Sequence, residues 1–198
     1  MAVAPPPRRV RVLNWPNVLT FARLLLAVVL FVCIAAEWWL AGLLVFAAAA
    51  VTDWLDGYLA RLQNLTTALG RNLDPLVDKV LVCGAFIFLL PVAESGLTPW
   101  MVTVVVGREL IVTGLRSFME THQGVVFGAD WLGKIKMGLQ CAALIAVLLL
   151  LGLQGLEGTG GLVGLLGPVT VGLIYVMLAA TIASGLQYLW RAALLLKE

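Results

Sequence analysis

Charge is what this chain has least of. Lysine, arginine, aspartate and glutamate together make up 12% of its 198 residues, while 62% are hydrophobic. A soluble domain of that size cannot hide so much apolar surface, so a bilayer must serve as part of its solvent. Histidine occurs once, at His122 in the polar stretch THQGVVFGAD, and reads as a solvated loop residue without a catalytic role. Cysteine is scarce and odd in number: Cys33, Cys83 and Cys141 lie far apart in apolar stretches. That excludes a disulfide framework or a cysteine metal site and leaves inert buried thiols. The net charge is only +2, with no zinc-finger or basic-helix pattern, so nucleic acid is excluded as a partner. A cleaved leader is not expected either. The apolar run after Arg8, Arg9 and Arg11 is long for that purpose and carries Thr20 and Arg23, as a retained first membrane helix would.

The runs themselves predict an all-α integral membrane protein, a bundle of six transmembrane helices. A basic, proline-rich arm (1–13) precedes a six-helix membrane domain (14–198), with helices at about 18–37, 39–60, 73–94, 98–119, 131–153 and 161–190. The breaks AEWW, VAESGLTP and QGLEGTGG separate them. With the N-terminus in the cytoplasm and the helices alternating, the external connections hold Glu37, Glu94 and Glu157 and no lysine or arginine. Every basic residue then falls at a cytoplasmic end, and both termini are cytoplasmic. This drawing also brings Asp53, Asp56, Asp74 and Asp78 to the cytoplasmic side, level with Arg108, Arg116, Lys134 and Lys136. Acidic and basic groups therefore converge on one layer.

The four aspartates are the costliest part of that layer. Asp53 and Asp56 share one helical face with Gly57 and Ala60, and Asp74 and Asp78 share another. A short connection lets the two helices pack as antiparallel neighbours with these faces opposed. Each carboxylate would cost ~2.5–3.5 kcal/mol at the bilayer centre, less near its surface. Arg61, Arg71 and Lys79 offset part of this charge, and carboxylate oxygens at this spacing suit a hard divalent cation such as Mg²⁺. Two metals bridged by a shared carboxylate would draw in pyrophosphate oxygens. Gly57, Ala60 and Gly70 leave room for a ligand or a second backbone. The competing reading is a set of helix-end salt bridges, which suits a single aspartate better than four.

The second cluster is Arg108, Glu109, Arg116, Lys134 and Lys136. Arg108 and Arg116 are offset by about 80° on a helix, Glu109 and Arg116 nearly eclipse, and Lys134 and Lys136 are about 200° apart. Such a group binds phosphate through arginine forks and a lysine charge. Only one of the two lysines can face a pocket fully; the other snorkels, and simple anchoring suits Lys136, Arg191 and Lys197. At the start of the first helix, Asn14, Asn17, Thr20 and Arg23 recur every three residues, as a cap with a snorkelling arginine or as a ligand set. Trp38, Trp39 and Trp100 fit an interfacial aromatic belt. Gly160, Gly161, Gly164 and Gly167 fit either tight helix packing or a flexible external loop.

Asp53-x-x-Asp56-Gly57-x-x-Ala60-Arg61, followed by Gly70-x-x-x-Asp74-x-x-x-Asp78, resembles the signature of the CDP-alcohol phosphatidyltransferases. NWPNVLTFAR (14–23), GRELIVTGLR (107–116) and LGKIKMGLQ (132–140) resemble the bacterial phosphatidylglycerophosphate synthases within that family. The resemblance implies a fold and a reaction: transfer of the phosphatidyl group of CDP-diacylglycerol to the hydroxyl of glycerol 3-phosphate, releasing CMP. It implies metal ligation by Asp53, Asp56, Asp74 and Asp78, with Asp78 also the base. The cation would be Mg²⁺ or Mn²⁺, two per site. It implies contact of Gly57, Ala60, Arg61 and Gly70 with CDP-diacylglycerol, a homodimer among membrane lipids, and a place in a bacterial-type inner membrane. Arg108, Arg116 and Lys134 are the candidates for holding the acceptor's phosphate.

Two other functions compete. A sister transferase would use another acceptor, such as inositol phosphate or a phospholipid. A small cation transporter would instead thread the carboxylates into an ion path. The external halves, such as VCGAFIFLL and CAALIAVLLL, are almost wholly apolar, and a site open to one side fits an enzyme better.

Overall fold

The computed structural model describes the backbone of residues 15–63, 68–123 and 131–195, and the side chains of 21–52, 76, 77, 79–119 and 131–194. The described chain is all-helical. Six α-helices, α1 (Trp15–Ala35), α2 (Trp39–Gln63), α3 (Ala68–Leu89), α4 (Pro99–Gln123), α5 (Trp131–Gln154) and α6 (Gly160–Leu195), are joined by short connections. One 3₁₀ turn, Ala93–Ser95, lies between α3 and α4.

Local chemistry explains where the helices stop. α1 ends in a Schellman arrangement: the Glu37 amide donates to the Ile34 carbonyl at 3.0 Å and the Trp38 amide to Cys33 at 2.8 Å. Glu37 holds the left-handed position, φ 60°, that glycine usually takes. α3 stops at Leu89, two residues before Pro91, whose ring and missing amide disfavour a further turn. The helix is therefore shorter at this end than the apolar run to residue 94 predicts. The 3₁₀ turn is closed by Gly96, φ 70°, and Pro99 starts α4 at the first helical position, where no amide is needed. The Thr159 hydroxyl donates to the carbonyls of Leu153 and Leu156 at 2.6 and 2.7 Å, satisfying the end of α5 just before α6 begins. Gly160 to Gly167 form the first turns of α6, and a methyl on Gly160, Gly161, Gly164 or Gly167 would meet nothing within 4 Å. The run is therefore not a loop, and among the described residues no tight packing accounts for it.

Among the described residues, α1 packs on both α2 and α3, α5 on α2 and α6, and α4 on α6. The core is a continuous apolar cluster including Leu30, Phe46, Phe86, Leu89, Leu144, Leu148 and Met177, each wholly buried. Two contacts are closer than a side chain allows: Phe31 lies over Gly84, and Leu40 over Gly152. The outside is apolar as well, with Leu25, Leu44, Leu165 and Trp190 two-thirds or more exposed. A helix that is hydrophobic all round needs a non-aqueous surround. α5 and α6 are both long and apolar enough to cross a membrane. Trp38 and Trp100 are exposed near the ends of their helices.

The three described connections, α1–α2, α3–α4 and α5–α6, gather at one end of the bundle. Glu37, Trp39, Pro91, Glu94, Gln154 and Gly155 line a single recess there, bringing together the ends of α1, α2, α3 and α5. The polar clusters lie in the other half.

Candidate functional site

The aspartates sit on regular helix. Residues 53 and 56 lie within α2, and 74 and 78 within α3. One helical turn therefore separates the members of each pair. The side chains of Asp53, Asp56, Gly57, Ala60, Arg61, Gly70, Asp74 and Asp78, like residues 1–14 and the side chains of Asn17 and Thr20, lie outside the described residues. So does the packing of the two aspartate faces on each other. Among the described residues no three histidine, cysteine, aspartate or glutamate side chains come together. The donor set offered by α2 and α3 is all carboxylate oxygen at one-turn spacing on helix, with Pro75 between the second pair, and that chemistry fits a hard divalent cation.

A cavity of about 340 Å³ opens immediately next to these positions. Ala49 and Ala50 in its wall precede Asp53 by one turn on α2, and Leu81 and Val82 follow Asp78 by one turn on α3. Phe46, Met137, Gly138 and Cys141 complete the apolar lining, and Arg23 and Lys134 are its two cations. Arg23 is 1% exposed. A snorkelling arginine would be exposed, so the anchoring reading of Arg23 gives way to an inward-facing cation. Lys134 is exposed and stands where α5 borders the cavity.

The other basic residues form a separate group. Lys136, the lysine expected to anchor at the surface, is 3% exposed and donates to Oε1 of Glu109, itself 6% exposed. Lys134 and Lys136 do take opposite sides of α5, but the buried one is Lys136. Arg108 reaches the same Oε1 through Nη1 at 3.2 Å. Its Nη2 donates to the Ser184 hydroxyl on α6 at 2.9 Å, and its guanidinium lies 5.8 Å from the Tyr188 ring centroid. Gly185 makes that route possible: a methyl there would stand 3.1 Å from Arg108 Cγ. Lys79, next in the chain to Asp78, is close enough to act electrostatically on both Glu109 and Lys136. Arg116 is half-buried two turns beyond Arg108 on α4.

The arrangement thus has an acidic region on α2 and α3, a mostly apolar cavity bordering it, and a buried cation group across α4, α5 and α6. Carboxylates to hold metal, an apolar recess to take lipid and cations to attract phosphate are what a lipid phosphoryl transfer requires. The family model for CDP-alcohol phosphatidyltransferase matches residues 13–187. The chain belongs to the CDP-alcohol phosphatidyltransferase family. Similar proteins include the CDP-diacylglycerol–glycerol-3-phosphate 3-phosphatidyltransferase of Bacillus subtilis (strain 168), 41% identical over 152 residues. That alignment covers 69% of this chain and 77% of the relative. An enzyme of the same name from Shigella flexneri is 35% identical over 184 residues, covering 89% of this chain and 93% of the relative. The second such enzyme of Arabidopsis thaliana is 33% identical over 201 residues, covering 93% and 83%.

For this phosphatidyltransferase-family chain, sequence reasoning missed the buried state of Lys136 and all of Ser184 and Gln140. Gln140 is 1% exposed, one turn beyond Lys136, and neither end of its amide has a hydrogen-bond partner. Its signal was available: a glutamine four residues after a lysine, on an otherwise apolar helix, shares that lysine's face.

Proposed function

We propose that the chain transfers the phosphatidyl group of CDP-diacylglycerol to glycerol 3-phosphate, giving phosphatidylglycerophosphate and CMP. The observation that carries this reading is the aspartate signature at one-turn spacing on α2 and α3, in a chain whose relatives bear that enzyme name. The protein would cross a bacterial-type cell membrane six times, with both termini and the aspartates on the cytoplasmic side. The glutamate-bearing connections at one end of the bundle, with no lysine or arginine among them, support that orientation. Homodimerisation is what the family implies.

Asp53, Asp56, Asp74 and Asp78 would hold the divalent cations, Mg²⁺ or Mn²⁺, two per site, which neutralise pyrophosphate charge when bound. Gly57, Ala60, Arg61 and Gly70 would seat the cytidine diphosphate, and the cavity beside Arg23 supplies apolar wall for the lipid. Asp78 takes the proton of the acceptor hydroxyl. The freed oxygen bonds to the phosphorus that carries diacylglycerol, and the bond from that phosphorus to CMP breaks. Arg108, Arg116 and Lys134 would hold the acceptor's phosphate, the group that distinguishes glycerol 3-phosphate from uncharged alcohols.

The test is purified protein with CDP-diacylglycerol, Mg²⁺ and a panel of acceptors. CMP release with glycerol 3-phosphate is expected, abolished in a folded Asp78→Asn variant. Arg116→Ala should raise KM for the phosphorylated acceptor but not for CDP-diacylglycerol. Turnover only with inositol phosphate or a phospholipid would move the chain to a sister activity. Cation movement across liposomes without CMP release would replace the enzyme reading altogether.

A further inference from the structure

Glu109 is the one buried carboxylate among the described residues, and it has no place in the chemistry above. Its surroundings are lopsided. One oxygen, Oε1, accepts from both Lys136 and Arg108, while Lys79 acts on the carboxylate from further away. Two cations thus share one carboxylate oxygen, and the contact joins α4 to α5 inside the bundle. Buried ion pairs are a poor source of stability, since apolar residues of similar volume often do as well or better.

The connectivity is more informative than the charge. Glu109 and Arg116, seven residues apart, lie on the same face of α4, the face Lys136 meets. The Glu109–Lys136 contact therefore ties α4 to α5 on the helical face that also carries Arg116. On the other side, Arg108 is held between Glu109 and Ser184, which fixes α4 against α6. One candidate phosphate-binding arginine, Arg108, is bonded to this carboxylate, and the other, Arg116, shares its face of α4.

We infer that Glu109 is a positioning residue for the acceptor's phosphate, acting through Lys136 and Arg108 without touching substrate. The inference rests on the acceptor reading proposed above. Lys136 serves as the counterweight: paired to Glu109, it orients the helices and adds to the positive field rather than gripping phosphate itself.

Three variants test this in the full-length protein in detergent: Glu109→Gln, the apolar pair Glu109→Leu with Lys136→Met, and Lys136→Arg. Folding is read by thermal midpoint and elution volume, and KM is measured for each substrate. The expected result is a rise in KM for glycerol 3-phosphate of about tenfold or more in Glu109→Gln and in the apolar pair. KM for CDP-diacylglycerol should stay within about twofold, by the same free-energy scale. Lys136→Arg, which keeps the pairing charge, should retain most of the acceptor affinity. The apolar pair separates the roles, because it removes Glu109 and Lys136 together and leaves Arg108 held by Ser184 alone. A folded apolar pair with unchanged acceptor KM would make the cluster merely structural and end the inference. So would equal rises in both KM values, or loss of folding in all three variants. If the unmodified protein releases no CMP with glycerol 3-phosphate, the acceptor reading itself is wrong. Active parent protein with unshifted variants refutes only the role of Glu109.

Discussion

Replacing Gly84 by alanine should loosen the α1–α3 contact that carries Arg23 and Asp78 on its two sides. A methyl at residue 84 would stand 2.2 Å from Phe31 Cζ, 2.7 Å from Cε1 and 3.1 Å from Cε2. Carbon atoms in contact prefer about 3.5–4.0 Å, so the ring must withdraw by more than roughly 1 Å. It is not free to do so, because it stacks on Phe88 with centroids 4.8 Å apart and planes within 5°. Overpacking of this kind costs about 1–3 kcal/mol, and disturbing the stack about 0.5–1.5. Alanine returns about 1 kcal/mol through its better helix propensity. The net loss is about 2 kcal/mol, readable by reversible unfolding in mixed micelles. In a Phe31→Leu background the ring is gone, and Gly84→Ala should become neutral within ~0.5 kcal/mol or slightly stabilising. Full stability of Gly84→Ala, or the same loss with and without Phe31, would refute the reasoning.

Glu37→Gly should stabilise the protein by about 1 kcal/mol, since a non-glycine residue held at φ 60° carries strain of that order; a lowered thermal midpoint would show that the glutamate side chain compensates. Chelation should stop CMP release without unfolding the bundle, whose described core is apolar, and Mg²⁺ or Mn²⁺ should restore it. Full turnover in excess chelator would count against the carboxylate metal site.

The helical architecture was legible because apolar runs of spanning length leave the backbone one economical solution, and Pro91 and Pro99 mark where it must break. The four aspartates were legible for the opposite reason, since charge in such a chain stands out against its surroundings. What could not be read was which of two neighbouring lysines turns inward. Lys134 and Lys136 differ by a rotation of about 200°, and one-dimensional spacing does not say which side meets α4. That choice depends on Glu109, far away in sequence, and becomes visible only in the folded pairing. Arg23 was ambiguous likewise, because its burial is decided by α2, α3 and α5 closing around it. The end of α3 shows the reverse case: hydrophobicity runs past Leu89, but the missing amide of Pro91 outweighs it.

α6 has a consequence for the thickness of its surroundings. Its 36 residues rise roughly 54 Å, apolar for most of that length until Gln187 and Arg191. A hydrocarbon layer is about 30 Å deep, and even a tilt of roughly 40° accommodates only about 39 Å of helix. Some 15 Å of helix is left over on that count. In the proposed membrane setting it must lean, bend near Pro168 or thicken the lipid around it. Because Ser184 on this helix is bonded to Arg108, any lean of α6 pulls on the cation group directly. Bilayer thickness thereby becomes a mechanical input to the region where the acceptor is proposed to bind.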